Sequence, residues 1–245
     1  INPPRRVQAV WTDERTAAGG SGREQPTGTP RGEQGPPAHS GHGGDTHRHH
    51  TAMTADHRAR RALCADPVLG PVVEPLPLQR LTPAPSFFGR FVRSVIRQQI
   101  SMDAAAAIER RLHETVGSTP TAIAGCPLTQ LQAAGLSQQK AETVQAIAAA
   151  VSAGTLTRAA LEPLDDAAVV HRLTQLRGVG PWTAKMQLIF ALARPDVLAL
   201  EDLAVRRALA AVTGEDDPTA LAALAEPWRP YRSYACLYLW ASGEG

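Results

Sequence analysis

The sequence predicts an all-α fold made of short amphipathic helices. From Pro85 onward, apolar residues recur at helical spacing, polar capping residues precede these segments, and glycines follow several of them. No alternating strand pattern of useful length occurs after Met53. Since 43% of the 245 residues are hydrophobic, the chain is long and apolar enough to bury a core in one large unit or two modest ones.

Residues 1–52 differ in composition from the rest of the chain. They are rich in glycine, proline and polar residues and offer few apolar side chains to bury. We therefore expect a disordered tail over residues 1–52 and a folded domain over residues 53–245. The tail histidines His47, His49 and His50 are compatible with metal binding, but solvated histidines are the commoner case, so no site is assigned to them.

The first predicted helix, SFFGRFVRSVI, begins after Ser86, whose hydroxyl is a suitable N-cap, and its large apolar residues fall on one face. The segments DAAAAIERRLHETVG, LTQLQAAG and SQQKAETVQAIAAAVSAG follow it in the chain. They end at Gly117, Gly135 and Gly154, and Ser137 is the expected cap of the third. Glycine stops and polar caps together predict a helix for each segment.

The remaining predicted helices are LDDAAVVHRLTQL, PWTAKMQLIFALA, DLAVRRALAAVTG, DPTALAALAEPW and RSYACLYLWA. In DPTALAALAEPW, Asp217 is the expected N-cap and Pro218 occupies the first turn, where the missing N–H of proline costs no hydrogen bond. A glycine-rich turn joins the first two of these segments.

Composition excludes several classes of protein and site. The three cysteines, Cys64, Cys126 and Cys236, lie far apart without CxxC spacing, which argues against a zinc site, an iron–sulfur cluster or a disulfide framework. No long apolar run and no signal pattern occurs, so we expect neither a membrane span nor secretion but a cytoplasmic protein, associated with the nucleoid if bacterial. The net charge of +2 is too small to predict a polyanionic partner, so any nucleic-acid site must be local.

The turn LRGVGPWTAKM has the features of an anion site. Gly178 and Gly180 allow positive φ and close approach of a ligand to the backbone, and Pro181 suits the first turn of the next helix. The free amides and the positive end of that helix would then face a phosphate oxygen. A plain turn between two helices explains the glycines equally well, so the pattern needs further context.

Asp202 supplies a second feature, at the start of the segment DLAVRRALAAVTG. An aspartate there is an ordinary N-cap for an amphipathic helix. A carboxylate at a helix N-terminus is also a fixed negative charge beside a pocket, and the two roles are compatible.

These stretches carry a family resemblance. LTQLRGVGPWTAKM followed by PDVLALEDLAVRRAL resembles the helix-hairpin-helix and Gly/Pro-Asp signature of the DNA glycosylase superfamily, and more specifically of the AlkA-type 3-methyladenine DNA glycosylases. FGRFVRSVIRQQIS, GLSQQKAETVQAIA and WRPYRSYACLYLW are similar to other family segments in the same order, so the resemblance covers roughly Cys64 to Trp240. It implies two small helical subdomains with a substrate cleft between them, without the N-terminal β-domain of the bacterial AlkA protein.

The resemblance implies a monofunctional glycosylase that flips out alkylated purines, such as 3-methyladenine and 7-methylguanine, and excises them by hydrolysis in base excision repair. The implied partner is double-stranded DNA with damaged bases, bound by a monomer. Asp202 matches the family's catalytic aspartate, and an ionised carboxylate there would stabilise an oxocarbenium-like sugar or orient the attacking water. The alternatives are a helix-hairpin-helix DNA-binding protein without catalysis and a glycosylase for another damaged base.

The hairpin is implied to hold the DNA backbone without sequence preference. The implied DNA-binding residues are Arg177, Gly178, Val179, Gly180 and Lys185. Lyases of the superfamily use a lysine where this chain has Trp182, which favours simple hydrolysis. The endonuclease III-like branch often carries four clustered cysteines after the catalytic aspartate, but only Cys236 follows Asp202 here.

The predicted pocket contains Trp182 and Tyr231, with Met186 and Trp228 behind them, and aromatic faces there would attract a cationic base. The resemblance places Tyr231 where the bacterial AlkA protein has a pocket tryptophan and Met186 where it has a tyrosine; core packing is the alternative for each. Gln99 or Ile100 is the expected wedge that fills the place of the flipped base. No cofactor is required.

In AlkA-type structures, carbonyl groups of the hairpin hold a monovalent cation. The resemblance places these carbonyls at Thr174, Leu176 and Val179.

Overall fold

A computed structural model describes residues 53–243, and it contains helices and no strand over that range. The predicted all-α class is confirmed for this part of the chain. The expected tail over 1–52, with its three histidines, lies outside the described residues, so the domain boundary stays a prediction. None of the helices in 53–243 has the length and apolar character needed to cross a bilayer.

The helices follow one another with short connections. In chain order they are α1 Ala55–Cys64, α2 Gly70–Val73, α3 Phe87–Ile96, α4 Met102–Thr115, α5 Pro120–Gly125, α6 Leu128–Ala133, α7 Gln138–Ser152, α8 Arg158–Leu161, α9 Asp166–Thr174, α10 Pro181–Met186, α11 Leu203–Thr213, α12 Pro218–Leu224 and α13 Arg232–Ser242. A π-helical turn, Gln187–Ala191, continues α10, and a 3₁₀ turn, Glu226–Trp228, precedes α13.

The predicted caps begin these helices. The side chains of Ser86, Ser137 and Asp217 accept hydrogen bonds from backbone N–H groups in the first turns of α3, α7 and α12. Each cap satisfies a donor that the helix itself leaves unpaired. Helices α1, α2, α5 and α8 were not predicted; three of them have four to six residues, which is too short for a periodic pattern to register.

The helices form two groups. In the middle bundle, comprising α3 to α10, α7 packs on α3, α5 and α6, while α10 packs on α3 and α9. In the terminal bundle, comprising α1, α2 and α11 to α13, α13 packs on α1, α2 and α11. The first two and the last three helices therefore form one bundle and the helices between them form the other, which agrees with the predicted two subdomains. Phe190 of the middle bundle stacks on Trp240 of the terminal bundle with ring centroids 5.3 Å apart, and a cleft lies beside this contact.

Candidate active site

Asp202 caps the N-terminus of α11. Its Oδ1 accepts hydrogen bonds from the backbone N–H groups of Ala204 and Val205, each at 3.0 Å. Aspartate is among the strongest N-cap residues, and the positive end of the helix further stabilises its charge. The backbone alone therefore fixes the direction of this carboxylate.

Two tryptophans hold the same carboxylate. Trp182 Nε1, on α10, donates to Asp202 Oδ2 at 2.7 Å, and Trp240 Nε1, on α13, donates to Oδ1 at 3.0 Å. Oδ1 thus accepts three hydrogen bonds and Oδ2 accepts one. Because a carboxylate oxygen has about two lone-pair directions, Oδ2 keeps an open acceptor position. The site is a fixed carboxylate with one oxygen free to contact a ligand.

Asp202 faces a cleft of about 530 Å³ between the two bundles, a volume within the usual range for small-ligand sites. Trp182, Met186, Phe190 and Trp240 line it with apolar surface. The structure thus brings the predicted residues Trp182 and Met186 to the carboxylate. A flat aromatic ligand of purine size fits this lining.

Two arginines line the cleft: Arg90 on α3 and Arg97, the residue that follows α3. The Arg90 guanidinium lies 4.0 Å from the ring centroid of Phe190. Burial first, and then the charges of Arg97 and Arg93, lower the pKa of Arg90 to about 9, so it remains protonated at neutral pH. The cleft therefore contains both a carboxylate and guanidinium groups.

The hairpin joins α9 to α10 and has the conformation that its glycines predict. Gly178 has φ +83°, and a Cβ added there would lie 2.1 Å from Thr143 Oγ1, so only glycine fits. Gly180 is exposed, and a Cβ there would meet nothing within 4 Å. Within residues 53–243, the amides of Gly178 and Gly180 donate to no other group and are available to an anion.

Of the other hairpin residues, Val179 packs in the core and Arg177 faces solvent. Val179 is buried and anchors the turn in the core. The Arg177 side chain is 87% exposed and lies 3.7 Å from Glu142, an ion pair too exposed to hold it in place. Arg177 therefore remains free to contact a phosphate.

The predicted wedge residues, Gln99 and Ile100, lie in the bend after α3 and are both exposed. Gln99 has φ +57°, which is uncommon for a residue with a Cβ. Ile100 is 37% exposed. The exposure of both side chains leaves them accessible to a ligand.

Gln98 connects this bend to the hairpin. Its Nε2 lies 3.1 Å from the carbonyl oxygen of Gly178 and 2.9 Å from Thr183 Oγ1. Lys140 holds the same bend from α7, because its Nζ donates to the carbonyl oxygens of Ile96 and Gln98 at 2.8 and 2.7 Å. The wedge loop and the hairpin are thus parts of one hydrogen-bonded unit.

Lys185, expected to contact a phosphate, makes two hydrogen bonds within the protein. Its Nζ donates to the carbonyl oxygen of Leu198 and to Glu201, both at 2.9 Å. These contacts tie α10 to the segment that leads into Asp202. The contact of Lys185 with a phosphate stays a prediction.

Tyr231 and Trp228 were predicted in the pocket, but the structure places them elsewhere. Both line a separate cavity of about 240 Å³ with residues of α1, and Trp228 is buried. Tyr231 precedes α13, whereas Trp240 lies nine residues along, roughly 13 Å further at the helical rise. Trp240, at the far end of α13, is therefore the residue that reaches the cleft.

Sequence reasoning missed Trp240, Phe190 and Arg90. Trp240 lay in a segment assigned to the closing helix, and no local signal distinguishes a ligand-facing tryptophan from a core one. The π-helical turn shifts the side chains after Gln187 relative to a regular α-helix, and such turns are frequent at functional sites.

Comparisons with known proteins agree with this geometry. The model of the HhH-GPD superfamily base excision DNA repair proteins matches residues 92–232. DNA-3-methyladenine glycosylase 1 of Schizosaccharomyces pombe is 32% identical over 165 residues, which cover 64% of this chain and 72% of that protein. YfjP of Bacillus subtilis is 30% identical over 171 residues, 65% of this chain, and the chain spans only 60% of its length.

A solved structure extends the similarity to three dimensions. The Schizosaccharomyces pombe 3-methyladenine DNA glycosylase Mag1, in complex with abasic DNA, superposes with a TM-score of 0.69 at 28% identity, covering 77% of this chain and 97% of that one. The family match spans the hairpin, α10 and Asp202. The chain therefore belongs to the HhH-GPD superfamily of base excision DNA repair proteins.

Proposed function

We propose that this protein is a monofunctional DNA glycosylase that binds damaged double-stranded DNA as a monomer and excises alkylated purines, of the 3-methyladenine and 7-methylguanine type. One observation carries the proposal: the Asp202 carboxylate is held by two amides and two indoles beside an aromatic cleft of purine size. The relatives named as 3-methyladenine glycosylases support the same activity.

The chemistry follows from the free oxygen of Asp202. As the bond between C1′ and N9 breaks, its electron pair neutralises the cationic base, and positive charge develops on the sugar. The fixed carboxylate stabilises that charge, and Oδ2 accepts a hydrogen bond from the water that attacks C1′. The proton released by the water passes to Oδ2 and then to solvent.

The hairpin and the bend after α3 would hold the distorted DNA. The available amides of Gly178 and Gly180, with exposed Arg177, bind a backbone phosphate without reading sequence. Gln99 or Ile100 fills the gap in the duplex once the damaged nucleotide leaves the stack.

Hydrolysis is favoured over lyase chemistry by the groups beside Asp202. The position next to the hairpin is occupied by the Trp182 indole, which donates to the carboxylate. The nearest lysine on α10, Lys185, is committed to Leu198 and Glu201. No amine in the described cleft is thus placed to form a Schiff base.

We also propose that a monovalent cation binds the hairpin carbonyls of Thr174, Leu176 and Val179. Among the described residues, the Thr174 and Val179 carbonyls accept no hydrogen bond, and Leu176 accepts one, from Val179 N–H at 3.0 Å. Uncharged oxygens with open lone pairs suit such an ion. When bound, the cation supplies positive charge beside the held phosphate.

The test is base release from alkylated duplex DNA by the purified chain. Wild type should release methylated purines, and Asp202→Asn, which retains a capping oxygen but lacks the charge, should be slower by about 10²-fold or more. Excision by Asp202→Asn at the wild-type rate would contradict the proposal. Tight binding of DNA with no release of any base would instead support a helix-hairpin-helix binding protein without catalysis.

A further inference from the structure

A ring of the middle bundle supports the Trp240 indole that donates to Asp202. Trp240 Nε1 lies 3.0 Å from Asp202 Oδ1, and both residues belong to the terminal bundle. Phe190, from the other bundle, stacks on the indole with ring centroids 5.3 Å apart and 28° between the ring planes. A tryptophan side chain has several allowed rotamers, and packing against its ring selects one of them. The direction of the Trp240 N–H group is therefore set in part from across the cleft.

The π-helical turn that carries Phe190 is itself attached to its surroundings. Gln187, the first residue of the turn, is fully buried, and its Nε2 donates to Ser94 Oγ at 3.0 Å and to the carbonyl oxygen of Thr183 at 3.2 Å. The carbonyl oxygen of Phe190 accepts a hydrogen bond from the backbone N–H of Ala84 at 2.8 Å. The backbone of Phe190 is thus held at both ends of the turn, so its ring has a fixed base.

The Phe190 ring also contacts a second side chain, because the Arg90 guanidinium lies 4.0 Å from its centroid. A cation near the face of a ring and a stacked indole each favour one position of that ring. Phe190 therefore packs against two groups of the protein before any ligand enters the cleft. This arrangement favours a supporting role for Phe190 over direct contact with an extruded base.

We propose that Phe190 is a positioning residue for cleavage of the glycosidic bond: it keeps the Trp240 N–H on Asp202 Oδ1, so that Oδ2 stays directed at the sugar and the attacking water. This inference rests on the proposed glycosylase function. Four hydrogen bonds fix the carboxylate, and the Trp240 indole supplies one of them. When the indole turns away, the carboxylate has fewer restraints and spends less time in the reactive orientation. Phe190 touches no reacting atom in this role.

The experiment measures single-turnover release of 7-methylguanine, placed opposite cytosine in duplex DNA, by the full chain. Phe190→Leu retains an apolar side chain but loses the ring, and it should slow release by about two- to tenfold, the range that corresponds to a stacked aromatic pair. DNA affinity, measured by fluorescence anisotropy, should stay at the wild-type value because the hairpin is unchanged. Phe190→Tyr, which keeps the ring, should restore most of the rate.

A double-mutant cycle tests whether Phe190 acts through the indole N–H. Trp240→Phe keeps a ring but removes that N–H, so adding Phe190→Leu should slow release by less than about twofold further. In a Trp182→Phe background, Phe190→Leu should keep its full effect, since Trp182 donates to Oδ2 from its own helix. An equal effect of Phe190→Leu in both backgrounds overturns the inference.

Phe87→Leu is the matched control for the loss of an aromatic contact. Phe87 is buried and packs edge-to-face on Phe91 with centroids 5.9 Å apart, and neither residue lines the cleft. Phe87→Leu should lower the melting temperature and keep the rate of release. A loss of rate equal to that of Phe190→Leu would assign the effect to general loosening of the core and overturn the inference.

The outcomes also separate this inference from the proposed function. If wild type releases 7-methylguanine and Phe190→Leu does so at the same rate, the positioning role is wrong and the proposed function stands. If wild type releases no methylated purine, the proposed function is wrong, and the role of Phe190 falls with it.

Discussion

Trp182 Nε1 donates to Asp202 Oδ2 at 2.7 Å, although the two residues are 20 positions apart in the chain. This hydrogen bond joins the helix after the hairpin to the cap of α11. It gives one tryptophan two tasks, since the same ring lines the cleft and orients the carboxylate.

Trp182→Phe should retain the ring and lose the N–H donor. A hydrogen bond to a charged group contributes about 1.5 to 3 kcal/mol, so we expect base excision to slow by about tenfold or more. Single-turnover release measures the effect, and DNA affinity should change little. Trp228→Phe is the matched control, because the Trp228 indole N–H is buried without a partner and lies in the other cavity. Equal losses of activity in both variants would contradict the role of the Trp182 hydrogen bond.

Asp202 should contribute to stability as well as to catalysis. Asp202→Ala removes the acceptor for Ala204 and Val205 and should lower the free energy of unfolding by about 1 kcal/mol. Asp202→Asn retains a capping oxygen and should lose less stability, while both variants lose activity. Urea unfolding beside base release distinguishes the two effects. If alanine and asparagine destabilise the protein equally, the cap makes no contribution.

The two hairpin glycines should respond differently to alanine. Gly178→Ala forces a Cβ to 2.1 Å from Thr143 Oγ1 at a φ of +83°, so it should lower the melting temperature. Gly180→Ala has open space, and only an approaching DNA backbone would meet its Cβ, so stability should be unchanged while DNA affinity falls. Calorimetry and fluorescence anisotropy with duplex DNA test this pair. Full DNA affinity in Gly180→Ala would place the phosphate contact elsewhere.

Lys140 gives a prediction for pH. Desolvation lowers the pKa of Lys140 below its ordinary value, so the folded protein binds this proton less tightly than the unfolded chain does. Between the folded pKa and 10.5, stability therefore rises with pH through this group. The difference in unfolding free energy between wild type and Lys140→Met should increase as the pH is raised toward 10.5. A difference that shrinks over this range would contradict the assignment.

The parts of the site that could be predicted are those with local signals. The cap at Asp202, the turn at Gly178 and the helix start at Pro181 each depend on residues within one turn of themselves, and the structure contains all three. Ser86 and Asp217 were predictable caps for the same reason.

The rest of the site depends on how the two bundles meet. Trp240 and Asp202 are 38 positions apart, and their contact follows from the packing of α13 on α11. Helical periodicity shows which residues share a face but not how far along its axis a helix meets its neighbours. The family resemblance placed Tyr231 in the pocket, where the structure has Trp240 instead. The position of Arg90 in the cleft could not be predicted, because an arginine on an amphipathic helix is ordinarily expected to face solvent.

The contact of Gln98 with the hairpin couples two parts of the site that are far apart in the chain. One side chain bridges Gly178 and Thr183, and Gln99 and Ile100 follow it directly in the chain. The group proposed to hold the phosphate and the residues proposed to fill the gap in the duplex are therefore fixed relative to each other by a single side chain, so a change at Gln98 would disturb both at once.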